Sequence, residues 1–217
     1  MTKTHHHNQI SYNPAEQYLA ELDADWAQLI ADIGPHPQRT LSNQEPYEAL
    51  IRAVAHQQLH GKAAENILNR LIAYYPNTTF PSPDQIFATT IEQLRGFGFS
   101  NSKAIAILGI AEKTLEGTVP TRKTAETLSN EELIKRLVTL RGIGQWTVEI
   151  FLMHTLHRPD ILPVDDFGIR EGWRIIKSRE EQPKPKQLAE AGKILSPYRT
   201  TAIWYLWRAA DRAKQKK

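Results

Sequence analysis

Apolar residues recur at helical spacing along nearly the whole chain, and glycines and prolines divide the pattern into segments. From Pro14 to Ile33 the stripe Leu19, Leu22, Trp26, Leu29 and Ile30 predicts an amphipathic helix that stops at Gly34-Pro35. Pro46, at a first helical position, opens a second helix with Ala49, Leu50, Ala53 and Val54 inward. Gly61 to Tyr75 predicts a third, with Ala63, Ile67, Leu68 and Leu71 on its buried face. Phe80-Pro-Ser-Pro83 reads as a loop and a lobe boundary. Ser102 to Leu115 is again helical, through Ala104, Ile107, Leu108 and Ala111. Ser129 with Glu132 fits a capping box and is expected to start the next helix. Gln145 to Leu156, a segment opening at Asp165 or Asp166 and running to about Lys177, and a segment from Tyr198-Arg199 complete the set. A polar, mobile link spans Glu180 to Lys186. No stretch alternates with period two, so the expected class is all-α.

One run departs from plain amphipathic helix. Leu137-Val-Thr-Leu-Arg-Gly-Ile-Gly-Gln-Trp-Thr147 reads as a helix end, a tight Gly142-Ile143-Gly144 turn and a new helix start. Two glycines one residue apart permit φ > 0 and close backbone approach to a ligand. The amides of Ile143, Gly144 and Gln145 are expected to point outward from a helix N-terminus, which suits a phosphate. Leu137, Leu140 and Ile143 supply the apolar lock between the two helices. A weaker echo, Leu94-Arg-Gly-Phe-Gly98, reads as a structural turn. Further on, Leu162-Pro-Val-Asp-Asp-Phe167 sets two carboxylates, Asp165 and Asp166, at a helix start where spare N–H donors keep an acid ionised.

Together, Leu-x-x-Leu-x-Gly-Ile-Gly-Gln-Trp-Thr and Leu-Pro-Val-Asp-Asp resemble the helix-hairpin-helix DNA glycosylases, most of all their alkylpurine (3-methyladenine type II) branch in its short form. The resemblance covers about Pro46 to Arg208. It implies two helical lobes around a DNA-binding cleft in a single domain over 1–217, one lobe built from the N-terminal helices plus the C-terminal helix and a hairpin lobe over about 83–165. Residues 1–13 would be a flexible tail. It implies a monofunctional enzyme of base excision repair that flips out an alkylated purine and hydrolyses its N-glycosidic bond. The second acid, Asp166, matches the family's essential aspartate, with Asp165 as local cap or orienting group. Trp146 and Tyr198 match pocket aromatics, and Ile150 stands where some relatives carry another. Gly142, Ile143, Gly144, Gln145 and Thr147 would meet the DNA backbone. Gln58, within His56-Gln-Gln-Leu-His60, would fill the gap left by the extruded base. Carbonyls of Val138, Leu140 and Ile143 match those that hold a monovalent cation, Na+ or K+, with no cofactor required. Trp204 and Trp207 read as core filling.

Composition narrows this picture further. There are no cysteines, which excludes disulfides, thiol catalysis and the four-cysteine iron–sulfur cluster of some relatives. Bifunctional relatives use a lysine just after the hairpin as a Schiff-base nucleophile, and here none occurs between Gly142 and Arg158. The formal net charge of +3 permits nucleic-acid binding without arguing for it. No run approaches the eighteen or so apolar residues of a membrane span. His5, His6 and His7 read as part of a polar tail, and Arg208, Arg212, Lys214, Lys216 and Lys217 as a basic, solvated terminus. The expected partner is double-stranded DNA containing alkylated bases, with no membrane, met by a monomer inside the cell (cytoplasm of a prokaryote, nucleus of a eukaryote). The alternatives are a helix-hairpin-helix glycosylase for other damaged or mismatched bases, and a non-catalytic DNA-binding module.

Overall fold

The computed structural model describes residues 12–37, 43–76 and 78–215, and among them there are helices and no strand. The all-α expectation holds. The chain divides into two compact units, Met1–Thr40 with Arg158–Lys217, and Leu41–His157. The tail over 1–13 lies outside the described residues except for Tyr12 and Asn13.

The first unit begins with α1 (Pro14–Leu22) and α2 (Ala24–Ile33). The single helix expected from Pro14 to Ile33 is therefore two. Asp23 breaks it with an extended backbone (φ −168°, ψ 172°), and its side chain accepts the Trp26 N–H at 3.1 Å. An aspartate that can cap the next turn competes with helix continuation. Asn13 caps α1 in a reciprocal box with Glu16. The buried Glu16 carboxylate also takes the Tyr205 hydroxyl at 2.9 Å and the His36 N–H. Burial first, and the Glu16 hydrogen bond second, push the Tyr205 phenol well above its ordinary pKa.

The same unit contains α11 (Phe167–Ile176), α12 (Pro185–Ala191), a short 3-10 turn (Gly192–Leu195) and α13 (Arg199–Gln215). The link expected over Glu180–Lys186 is thus partly helical, and Gln182 is tied to Glu171 at 2.8 Å. The core combines Leu19, Trp26, Ile30, Ile169, Trp173, Tyr205 and Leu206. Helices α11 and α13 meet backbone to backbone: a Cβ at Gly172 would overlap the Leu206 carbonyl oxygen. Gly172→Ala is expected to cost about 1–3 kcal/mol by overpacking, because a helix backbone cannot step aside as a side chain tip can. A chemical melt with an unchanged midpoint would show that α11 and α13 do not depend on that approach.

The second unit holds α3 (Pro46–His56), α4 (Gly61–Tyr74), α5 (Pro83–Phe87), α6 (Ile91–Phe97), α7 (Asn101–Leu115), α8 (Arg122–Thr127), α9 (Asn130–Leu137) and α10 (Gln145–His154). On α4 the inward residue is Ala64, fully buried, rather than the exposed Ala63, so the stripe is Ala64, Ile67, Leu68 and Leu71. Phe80–Pro83 falls inside this unit, with Ser82 capping α5 in a box with Gln85. Ser129 caps α9 through the Glu132 N–H at 3.1 Å, while the Glu132 carboxylate is engaged by Arg136 at 3.1 Å. The core of this unit is mainly aliphatic, built from Leu50, Val54, Leu68, Leu94, Ile107, Leu133, Val148 and Leu152, with Phe99 and Phe151 also buried.

Candidate functional site

In the second unit, α9 leads into the hairpin. Leu137, Leu140 and Ile143 are buried, so the two helices share an apolar lock. Gly142 has φ +81°, a conformation that side chains rarely adopt, and a Cβ there would stand 3.2 Å from the Ala106 Cβ of α7. The Ile143 N–H donates to the Leu140 carbonyl at 3.1 Å. Of the three amides expected to face outward, this one closes the turn instead. Gly144 is the N-cap of α10 in an extended conformation, and no side chain caps the helix there. The first-turn N–H groups of a helix have no intrahelical acceptor, so an uncapped start keeps donors available to an anion. The Gln145 side chain turns along the helix to Glu149 at 2.9 Å, and Thr147 is buried. Val138 is 39% exposed.

The echo at Leu94–Gly98 is built differently. Gly98 (φ +110°) ends α6, but Ser100 caps α7 by accepting the Lys103 N–H. That helix start is already occupied by its own side chain. This favours the structural turn over a second anion site.

Beside the hairpin lies a pocket of about 400 Å³ lined by Ala53, His56, Gln57, Gln58, Trp146, Thr147 and Ile150. Trp146 is 45% exposed on the first turn of α10. Gln58 sits in the turn after α3 at φ +56°, with Leu59 N–H returning to the His56 carbonyl at 3.3 Å. A glutamine in the left-handed region is uncommon and persists only where its surroundings hold it. The pocket thus brings together Trp146, Ile150, Thr147 and Gln58 from the expected set, and adds Gln57, whose side-chain amide donates to the Gly142 carbonyl at 3.0 Å.

In the first unit, Pro163 makes a turn in which the Asp166 N–H donates to its carbonyl at 3.1 Å. Asp165 is exposed within that turn, and the cap of α11 is Asp166. The capping role expected of Asp165 therefore falls to its neighbour. Asp166 is half-buried, and its Oδ1 accepts the Ile169 N–H at 2.8 Å and the Trp207 indole N–H at 3.1 Å. Two donors at the N-terminus of α11 thus fix one carboxylate oxygen of Asp166 in place. Gly168 leaves room for this arrangement, since a Cβ there would stand 3.0 Å from Trp207 and 3.2 Å from Asp166. Trp207 is therefore not mere core filling, and nothing in its local sequence marked it. Trp204 is half-buried, with His36 edge-on at 4.6 Å and Arg208 over its ring at 5.6 Å.

Tyr198, half-buried, meets Tyr18 edge-to-face at 5.4 Å at the start of α13. Asp160 anchors that start through Arg199 (2.6 and 2.8 Å) and Ser196 (2.7 Å). Burial alone would raise the Asp160 pKa, but the hydrogen bonds from Arg199 and Ser196 outweigh it and hold the carboxyl below its ordinary value. Of the basic terminus, Arg212 donates to the Asp32 carbonyl at 2.7 Å; Lys216 and Lys217 lie outside the described residues. No helix among the described residues is long and apolar enough to cross a membrane.

Residues 51–197 match the model of the HhH-GPD superfamily base excision DNA repair protein. The chain is 44% identical over 204 residues to DNA-3-methyladenine glycosylase 1 of Schizosaccharomyces pombe, covering 94% of this chain and 90% of that one. The fold is similar to the solved S. pombe 3-methyladenine DNA glycosylase in complex with abasic DNA, with a TM-score of 0.82 over 90% of this chain and 96% of that one, at 44% identity. It is also similar to a DNA-3-methyladenine glycosidase from Bacillus halodurans, at TM-score 0.81 and 30% identity, over 94% and 92% of the two chains.

Proposed function

Because the chain belongs to the HhH-GPD superfamily of base excision DNA repair proteins, we propose that it is a monofunctional DNA glycosylase for alkylated purines of the 3-methyladenine and 7-methylguanine type. The observation that carries this reading is Asp166, a half-buried acid held by a backbone N–H and an indole N–H at the start of α11. Its substrate class is supported by the S. pombe relative, similar in sequence and in fold over nine-tenths or more of this chain, and by the B. halodurans one, both named for 3-methyladenine.

Breaking the N-glycosidic bond builds positive charge on the sugar, as in glycoside hydrolysis. The Asp166 carboxylate stabilises that charge and orients or deprotonates the attacking water. An N-alkylated purine already carries positive charge, so it leaves without strong acid help, and the Trp146 face attracts it. Tyr198 adds a second aromatic in this reading, and Ile150 an apolar wall. The uncapped start of α10 at Gly144 and Gln145 anchors a phosphate without reading sequence. Gln58 takes the place of the extruded base. Carbonyls are the donors a hard cation takes, and this reading puts Na+ or K+ at those of Val138, Leu140 and Ile143. The partner is duplex DNA, bound by a monomer in the compartment that holds the genome.

Duplexes each carrying one lesion, assayed for abasic sites, test the reading. Release of 3-methyladenine and 7-methylguanine is expected, with no protein–DNA adduct trapped by borohydride, because no lysine lies between Gly142 and Arg158. Release restricted to oxidised or mismatched bases would move the substrate class. Binding with no release would leave a DNA-binding module, and a trapped adduct would overturn the monofunctional assignment.

A further inference from the structure

The turn carrying Gln58 is held from behind by α7. The Lys103 ammonium, half-buried, donates to the carbonyls of Ala55 at 2.8 Å and Gln57 at 2.7 Å, at the end of α3. These are carbonyls that a helix leaves without internal donors, and a cation there also meets the negative end of the helix. One turn along the same helix, Ala106 abuts Gly142, and the Gln57 side chain closes the circuit by donating to the Gly142 carbonyl. A lysine in this place is costly: burial pulls its pKa below the ordinary lysine value.

We propose that Lys103 is a positioning residue for base extrusion: through the Ala55 and Gln57 carbonyls it holds the strained Gln58 turn in register with the hairpin at Gly142. The inference rests on the reading of this protein as a base-flipping glycosylase with Gln58 as its probe of the duplex. Gln58 at φ +56° can fill a vacated stack only if its backbone stays put. Without the ammonium, two carbonyls lose their donor and the turn relaxes. Extrusion then slows, while Trp146 and Ile150 on α10 and Asp166 at the start of α11 keep their own supports.

The consequence is selective, which makes it testable. Single-turnover base release is measured on two duplexes carrying the same 7-methylguanine, one opposite cytosine and one opposite an abasic analogue, where no base pair has to be opened. Lys103→Met keeps the length of the stem and removes the donors. It is expected to slow release from the paired lesion roughly tenfold, the scale of one lost charged hydrogen bond, and to leave the unpaired lesion within about twofold. Lys103→Arg should recover most of the paired rate. Equal losses on the two substrates, or no loss on either, would overturn the proposal. Should Lys103→Met fail to fold at the assay temperature, Lys103→Gln is read by the same ratio. A wild-type protein that released no base from either duplex would instead reject the glycosylase reading itself.

Discussion

Replacing Asp166 with asparagine is expected to reduce base release by about 10²–10³-fold while DNA binding stays intact or tightens. Asparagine is as good an N-cap as aspartate, so the Ile169 N–H keeps an acceptor and α11 keeps its start. The Trp207 indole likewise keeps an oxygen within reach. What disappears is the negative charge that stabilises the sugar cation, together with its repulsion of a nearby phosphate. Single-turnover release alongside equilibrium binding to an uncleavable abasic analogue measures both effects. Residual activity above about a tenth of wild type would remove Asp166 from the catalytic role, since a well-placed charge contributes more than that.

Trp146→Ala is expected to cost cationic 3-methyladenine and 7-methylguanine more than neutral hypoxanthine. Loss of stacking applies to every base and amounts to about 1–3 kcal/mol. The cation term alone discriminates, by about 0.5–2 kcal/mol. With 45% of its surface exposed on the first turn of α10, Trp146 contributes little to the core, and the variant should melt close to wild type. An equal loss for charged and neutral bases, with a normal melt, would sink selection by cation attraction. A collapsed melt would instead make Trp146 a structural residue. The partial exposure of this indole is the feature that lets one substitution separate the two roles.

Residues close together in the chain made much of this legible. The hairpin needs a glycine at φ > 0 and apolar residues at fixed offsets, both of which are local, and Leu137, Leu140, Gly142 and Ile143 stand as that pattern requires. Pro46 opening α3 and Ser129 capping α9 are equally local signals. Periodicity alone misplaced details decided by competition between neighbours. Asp23 could continue a helix or cap the next, and capping the Trp26 N–H prevailed. The inward face of α4 took Ala64 rather than Ala63, because a one-residue rotation changes little in the apolar pattern but decides which methyl packs.

The local pattern by itself therefore determined an all-helical chain, the hairpin turn and the carboxylate pair. Which acid is held, and by what, only the tertiary structure decided. The Asp166–Trp207 bond joins residues 41 positions apart, and Lys103 reaches Ala55 and Gln57 across 48 and 46. A hydrogen bond of that span leaves no periodic trace, since it depends on where two helices cross. That crossing is set in turn by details such as Gly172 against the Leu206 carbonyl and Gly142 against Ala106, where the absence of a side chain lets one backbone approach its neighbour.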